Sequence, residues 1–295
     1  MKIAIFGVGG VGGYLAVQAT HYYKDNEDIQ FYLIARGKHL EAIQKNGITL
    51  RRDNAPELNS RAFIATDDIA QCGKLDYIIY TTKSYSIDEN IDALRAASDE
   101  NTTIITFLNG VEGAEKLRAA LPQSTVCEGC VYVYSKILEP GVISETGSLA
   151  NYMIGNKAFY DLMSPAVDKF TLSDDIRTTI WEKFSYISPF ATITTWYNIT
   201  SDMIGESEEY TKIFKGLCDE FEAVGKAYGI KFRWNIYERN SALRAKSPKG
   251  STSSMQRDYH SAKPSEVDTL TRYISSLGAK LGIATHYYDL SSEEL

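Results

Sequence analysis

Three glycines in the pattern G-x-G-x-x-G, Gly7-Val8-Gly9-Gly10-Val11-Gly12, follow a strand-like run at residues 2–6 and open a helical pattern. In that context each glycine has a task. Gly7 permits a tight turn, Gly9 lets the backbone approach a pyrophosphate, and Gly12 lets the helix pack close to the strand. The helix N-terminus then offers N–H groups and partial positive charge to phosphates. The next strand-like run, residues 29–35, ends in Arg36-Gly37-Lys38, and no acid lies between Phe31 and Leu40. NAD-binding chains commonly place Asp or Glu there to hold the ribose hydroxyls. Arg36 instead suits the 2′-phosphate of NADP, with Lys38 adding charge. The alternative is that Arg36 is a solvated basic residue.

Two further polar groups stand where ligands of open α/β sheets bind, beyond the carboxyl ends of strands. Lys83 follows the strand-like 76–81, and Asn109-Gly110 follows 103–108. Taken alone, Lys83 reads equally as a surface lysine and Asn109-Gly110 as a turn. The four cysteines include Cys127-Glu128-Gly129-Cys130, formally C-x-x-C. The functional reading is a redox pair or half of a zinc site, but no second such pair and no nearby His completes a metal site, so two small residues in a buried β-strand is the simpler reading and no metal is expected.

The elements that must hold these residues alternate through the first half. Strands are expected at 2–6, 29–35, 76–81, 103–108, 126–134, 141–145 and 151–154. Helices are expected at 11–22, 40–45, 87–97 and 112–120. That alternation predicts an α/β, Rossmann-type doubly wound sheet with helices on both faces. After about residue 180 strand signals nearly vanish, and 181–197, 206–228, 234–245 and 265–281 read as helices, with 246–252 a loop. We therefore expect a dinucleotide-binding domain over 1–178 and an all-α domain over 179–295.

The 295 residues are 44% hydrophobic and 23% charged, with formal net charge −7. Such a chain can bury a core without disulfide or metal staples. The acidic balance argues against nucleic acid as the main partner. No apolar stretch approaches membrane-spanning length, and the N-terminus enters a strand at once, so a cytoplasmic chain is expected. The oligomeric state is left open, a homodimer being compatible.

The chain resembles the ketopantoate reductase family across nearly its whole length. The resemblance is carried by residues 7–12, Ala35-Arg36-Gly37, Thr82-Lys83, Asn109-Gly110-Val111 and Pro140-Gly141-Val142. In the second half it is carried by Trp181-Glu182-Lys183, residues 253–258 (Ser-Ser-Met-Gln-Arg-Asp) and Glu266-Val267-Asp268. It implies NADPH-dependent reduction of 2-dehydropantoate to pantoate, on the route to pantothenate and coenzyme A. It further implies that Lys183 is the general acid, supplying a proton and a positive field to the developing alkoxide. Glu266 would bind a substrate hydroxyl, Ser254 the substrate carboxylate, and Asn109 would orient nicotinamide and substrate, with Lys83 also lining the cleft. Without the resemblance, Lys183 would read as an exposed helix lysine, Glu266 as a surface charge and Ser254 as an N-cap. Family asparagines four and eight residues after the lysine are Ile187 and Ala191 here, another is Ser251, and the family's C-terminal Thr-Pro is Thr285-His286. Ser188, Thr192 or bound water could stand in for the lost amides. Alternatively, the less polar site suits another small 2-keto acid. A non-catalytic NADPH-binding sensor is a third reading, since it would need the glycine turn and Arg36 but not Lys183, Glu266 and Ser254 together.

Overall fold

β-Branched and aromatic runs in the first half form short strands: β1 (Lys2–Phe6), β2 (Gln30–Ile34), β3 (Ile48–Arg52), β4 (Ala55–Ser60), β5 (Ile64–Thr66), β6 (Tyr77–Tyr80), β7 (Thr103–Thr106), β8 (Thr125–Tyr132), β9 (Ser135–Glu139), β10 (Val142–Glu145), β11 (Asn151–Ile154) and β12 (Phe170–Leu172). Between and around them lie α1 (Gly10–Tyr22), α2 (Gly37–Asn46), α3 (Ile87–Ala97), α4 (Glu112–Ala120) and α5 (Lys157–Met163). The structure, a computed structural model, describes residues 1–53, 55–147 and 150–295. The chain divides into two compact units, Met1–Leu108 with Gly113–Ile176, and Asn109–Glu112 with Arg177–Leu295.

The first unit carries an eight-stranded sheet in the order β12-β11-β8-β7-β6-β1-β2-β5. Its strands run parallel except where β11 meets β8 antiparallel. The chain leaves β1 for β2 on one side and later returns to β6 on the other, so the carboxyl end of β1 is a topological switch point, where such sheets bind ligands. The expected doubly wound α/β sheet is therefore present.

A second, four-stranded sheet, β4-β3-β10-β9, was not anticipated. It packs on α1, so that helix lies between two sheets. This explains why every residue from Gly12 to Thr20 is buried; a helix covered on both sides needs no polar face. Two of its buried polar atoms find partners: Thr20 Oγ1 donates to the Ala16 carbonyl (2.7 Å), and Gln18 Oε1 accepts from the Asp168 N–H (3.1 Å). β8 carries Cys127 and Cys130, three residues apart, on opposite faces of the sheet. None of the four cysteines forms a disulfide, and among the described residues no metal-binding cluster occurs.

The second unit is helical: α6 (Ile176–Tyr197), α7 (Ser201–Glu206), α8 (Glu208–Ala227), α9 (Ile236–Ala245), α10 (Ser254–His260), α11 (Tyr273–Leu281) and α12 (His286–Glu294). Trp181 is fully buried among the rings of Phe184, Phe221 and Tyr228. The helix expected over 206–228 is broken at Ser207, whose hydroxyl caps α8 by accepting from the Tyr210 N–H. The one expected over 265–281 begins as a π-helical turn, Asp268–Arg272, before α11. Pro189 lies inside α6, so the Ser185 carbonyl loses its helical donor. Asn240 Nδ2, from α9, donates to that carbonyl instead (2.6 Å). Among the described residues no helix is long and apolar enough to cross a membrane.

Candidate active site

The turn between β1 and α1 is shaped by three glycines. Gly7 has φ +103°, and a Cβ there would lie 2.8 Å from Thr82 Cγ2. A Cβ on Gly12 would lie 2.3 Å from both the Gly7 carbonyl and Thr81 Oγ1, so this glycine lets helix and strand end meet. Thr81 Oγ1 donates to the Gly7 carbonyl (2.8 Å), pinning the turn to the end of β6. Gly9 differs: a Cβ on it meets no heavy atom within 4 Å. The protein leaves that space open beside the N-terminus of α1, which carries no side-chain cap and no acid in its first turn. An open cradle at an uncapped helix end fits a dinucleotide pyrophosphate. Val8 is buried, and the half-buried Val11 accepts from the Tyr152 hydroxyl through its carbonyl (2.7 Å). His39, on α2, accepts the Gly141 N–H at Nδ1 (3.0 Å). Burial holds its pKa below the ordinary value, partly opposed by the Val8 carbonyl.

Arg36 directly precedes α2, exposed along with Gly37 and Lys38, and α2 has no acid in its first turn. Its Nη2 donates to Asn90 Oδ1 (3.3 Å). A basic side chain with no acid beside it in that turn fits an adenosine 2′-phosphate better than free ribose hydroxyls. Lys83 is half-buried at the exit of β6, where its carbonyl accepts from the Ser86 N–H (3.0 Å).

In the second unit the structure brings Asn109, Lys183 and Glu266 together. Lys183, on α6, is half-buried and donates from Nζ to Asn109 Oδ1 (2.8 Å). Asn109 Nδ2 donates to Glu266 Oε2 at a long 3.5 Å. Glu266 is only 3% exposed, so it is not a surface charge. Gly110 holds φ +75°, and a Cβ there would sit 2.7 Å from Thr269 Cγ2. The loop bearing Asn109 can therefore sit against the π-helical turn only with glycine next in line. The residues flanking Lys183 anchor its helix. Trp181 is core, and Glu182, also 3% exposed, accepts from Arg233 Nε (2.8 Å) and pairs with Arg233 Nη2.

Ser254 stands apart from that trio. It is exposed at the start of α10, and the N-cap role belongs to Ser253, whose Oγ accepts from the Gln256 N–H (3.0 Å). Ser253 also bonds Thr194 Oγ1 (3.1 Å), and Thr194 lies on α6 roughly 16 Å beyond Lys183 at 1.5 Å per residue. Ser188 and Thr192 do not replace the missing amides. Both are fully buried, Ser188 against the Leu270 carbonyl and Tyr288 hydroxyl (2.6 Å each), Thr192 against Thr271 (2.8 Å). Ile187, one turn beyond Lys183, is half-buried, and Ala191 is buried.

Two family models divide the chain between them. That of ketopantoate reductase PanE/ApbA matches residues 3–158, and that of the ketopantoate reductase PanE/ApbA C-terminal region matches residues 175–293. The chain belongs to the ketopantoate reductase family. It is thus an oxidoreductase of the 2-dehydropantoate 2-reductase type. The 2-dehydropantoate 2-reductase of Mesorhizobium japonicum is 26% identical, over 94% of this chain and 91% of that one. A PanE/ApbA family ketopantoate reductase from Ralstonia eutropha superposes with a TM-score of 0.88 at 23% identity, over 99% of this chain and 96% of the other. A D-mandelate dehydrogenase bound to NADH and anilino(oxo)acetate has the same fold, with a TM-score of 0.84 at 20% identity over 99% and 96% of the two chains. The same fold is thus shared by proteins named for different substrates.

Sequence reasoning missed Asn90 and Thr81. Thr81 ends a strand and gave no signal. Asn90 had one: an asparagine amid an apolar helical pattern competes with the helix backbone and needs a reason to be there.

Proposed function

We propose that this ketopantoate reductase family member uses NADPH to reduce a small 2-keto acid, with 2-dehydropantoate as its substrate and pantoate as product. The observation that carries this reading is the Lys183–Asn109–Glu266 grouping: an ammonium, a neutral amide and a buried carboxylate drawn from distant parts of the sequence. NADPH, when bound, supplies the hydride for the carbonyl carbon. Gly7, Gly9 and Gly12 with the α1 N-terminus would hold its pyrophosphate, and Arg36 and Lys38 its 2′-phosphate. Lys83 adds positive charge at the β6 exit. The Lys183 ammonium gives a proton to the carbonyl oxygen as alkoxide charge develops, and its field favours that charge. Asn109 Oδ1 directs the ammonium. The Glu266 carboxylate accepts a hydrogen bond from a substrate hydroxyl.

One observation favours a second reading. Ile187 and Ala191 place no amide on the turns of α6 after Lys183, and Ser188 and Thr192 are committed elsewhere. An apolar wall there suits a branched 2-keto acid without the hydroxyl, such as 3-methyl-2-oxobutanoate. The test follows NADPH consumption with 2-dehydropantoate, 3-methyl-2-oxobutanoate and phenylglyoxylate. The leading reading expects the highest kcat/KM for 2-dehydropantoate. A higher value for 3-methyl-2-oxobutanoate establishes the second reading. Tight NADPH binding without turnover of any of the three would leave only a sensor.

A further inference from the structure

An exposed arginine recognises a phosphate efficiently when something orients it without consuming its charge, because fewer rotamers are then lost on binding. Asn90 has the properties for this in the first unit. It lies in α3 and is 4% exposed. Its Nδ2 donates to the Ser86 carbonyl (2.6 Å) and to the Tyr80 hydroxyl (3.1 Å). Those partners fix the amide's orientation, since a flipped amide would set its oxygen against a carbonyl oxygen. Oδ1 is thereby turned toward the Arg36 guanidinium, which donates to it from Nη2 (3.3 Å). The acceptor is neutral, so Arg36 keeps its full charge and its remaining donors. Tyr80 is the last residue of β6, and the next residue, Thr81, bonds the Gly7 carbonyl. Arg36 and the glycine turn are thus anchored to one strand end.

We infer that Asn90 is a specificity-determining positioning residue: a buried, neutral amide that aims Arg36 at the adenosine 2′-phosphate while leaving its charge available. The inference rests on the NADPH reading above. An isosteric carboxylate at this position would pair with Arg36 and cancel the charge the phosphate needs. An alanine would leave the charge but release the side chain.

The experiment measures dissociation constants of NADPH and NADH by fluorescence titration for wild type, Asn90→Asp, Asn90→Ala and Arg36→Ala, with a melting temperature for each. Asn90→Asp is expected to weaken NADPH about tenfold or more, the scale of one charge-assisted phosphate contact, with NADH changed less than about twofold. Asn90→Ala is expected to fall between Asn90→Asp and wild type, and it carries the test should the aspartate variant fail to fold. If Arg36→Ala weakens NADPH selectively while both Asn90 variants leave the NADPH-to-NADH ratio within about twofold of wild type, the inference is overturned and the NADPH reading stands. If both cofactors weaken alike in the Asn90 variants, Asn90 is merely structural and the inference is again overturned. If Arg36→Ala weakens both cofactors equally, the NADPH reading itself fails and takes the inference with it.

Discussion

Replacing Lys183 by alanine removes the proposed proton donor, whereas the glycine turn and Arg36, proposed to hold the cofactor, belong to the other compact unit. General-acid catalysis supplies about 10²–10⁴-fold, or about 3–5 kcal/mol of barrier, and kcat should fall by that amount. The structure also sets the size of a second effect. Lys183 Nζ reaches Asn109 Oδ1 at 2.8 Å. Hydrogen bonds from charged groups contribute about 1.5–3 kcal/mol, and because both side chains are half-buried, water can partly substitute. Asn109→Ala should therefore sit at the low end, about a tenfold loss in kcat. If Asn109 acts by directing the ammonium, its removal costs nothing once the ammonium is gone. The double variant should turn over within about twofold of Lys183→Ala, so the coupling energy equals the whole effect of Asn109→Ala. Initial rates of NADPH absorbance decay, with NADPH binding followed by fluorescence as a control, measure both quantities. A Lys183→Ala enzyme within about threefold of wild type refutes the proton-donor role. A further tenfold loss on adding Asn109→Ala refutes the directing role even if the first result holds.

Gly9→Ala should keep the wild-type melting temperature, since its Cβ meets nothing within 4 Å, yet weaken NADPH by more than about tenfold in titration. Gly12→Ala should instead lower the melting temperature, its Cβ lying 2.3 Å from the Gly7 carbonyl. Asn240→Ala strands the buried Ser185 carbonyl and should cost about 1–3 kcal/mol in denaturant unfolding; in a Pro189→Ala background, where a helical N–H is restored, the cost should shrink. Burial raises the Glu220 pKa, although the N–H groups of Tyr287 and Tyr288 bonded to its carboxylate oppose this. The native state therefore keeps the Glu220 proton to higher pH than the unfolded chain, so this contribution is full below the ordinary Glu pKa and is lost as pH rises through the raised value. Glu220→Gln keeps an acceptor for those N–H groups, and its unfolding midpoint should gain on wild type between about pH 4 and pH 7; a constant difference across that range counts against the shift.

The doubly wound sheet and the glycine turn between β1 and α1 were legible in the amino-acid string because their signals are local. Three glycines between a strand and a helix, alternating apolar runs, and a basic residue where an acid usually stands each report backbone preference within a few residues. The family resemblance rested on the same short motifs. Other features only the tertiary structure decided. Of the second sheet only β10, expected over 141–145, was legible; β3, β4 and β9 are short and mix charges with apolar residues, Ile48 and Leu50 being buried while Arg51 is exposed. Which of two adjacent serines caps α10 depended on backbone geometry, and Ser253 took that role, leaving Ser254 exposed. The amide that substitutes for the donor lost at Pro189 comes from another helix. Above all, the meeting of residues 109, 183 and 266, and of 36 with 90, joins positions far apart in the chain. Short-range pattern sets which elements form and which face each buries, but partners at long sequence separation are selected by packing, where each buried polar group must find another within hydrogen-bonding distance.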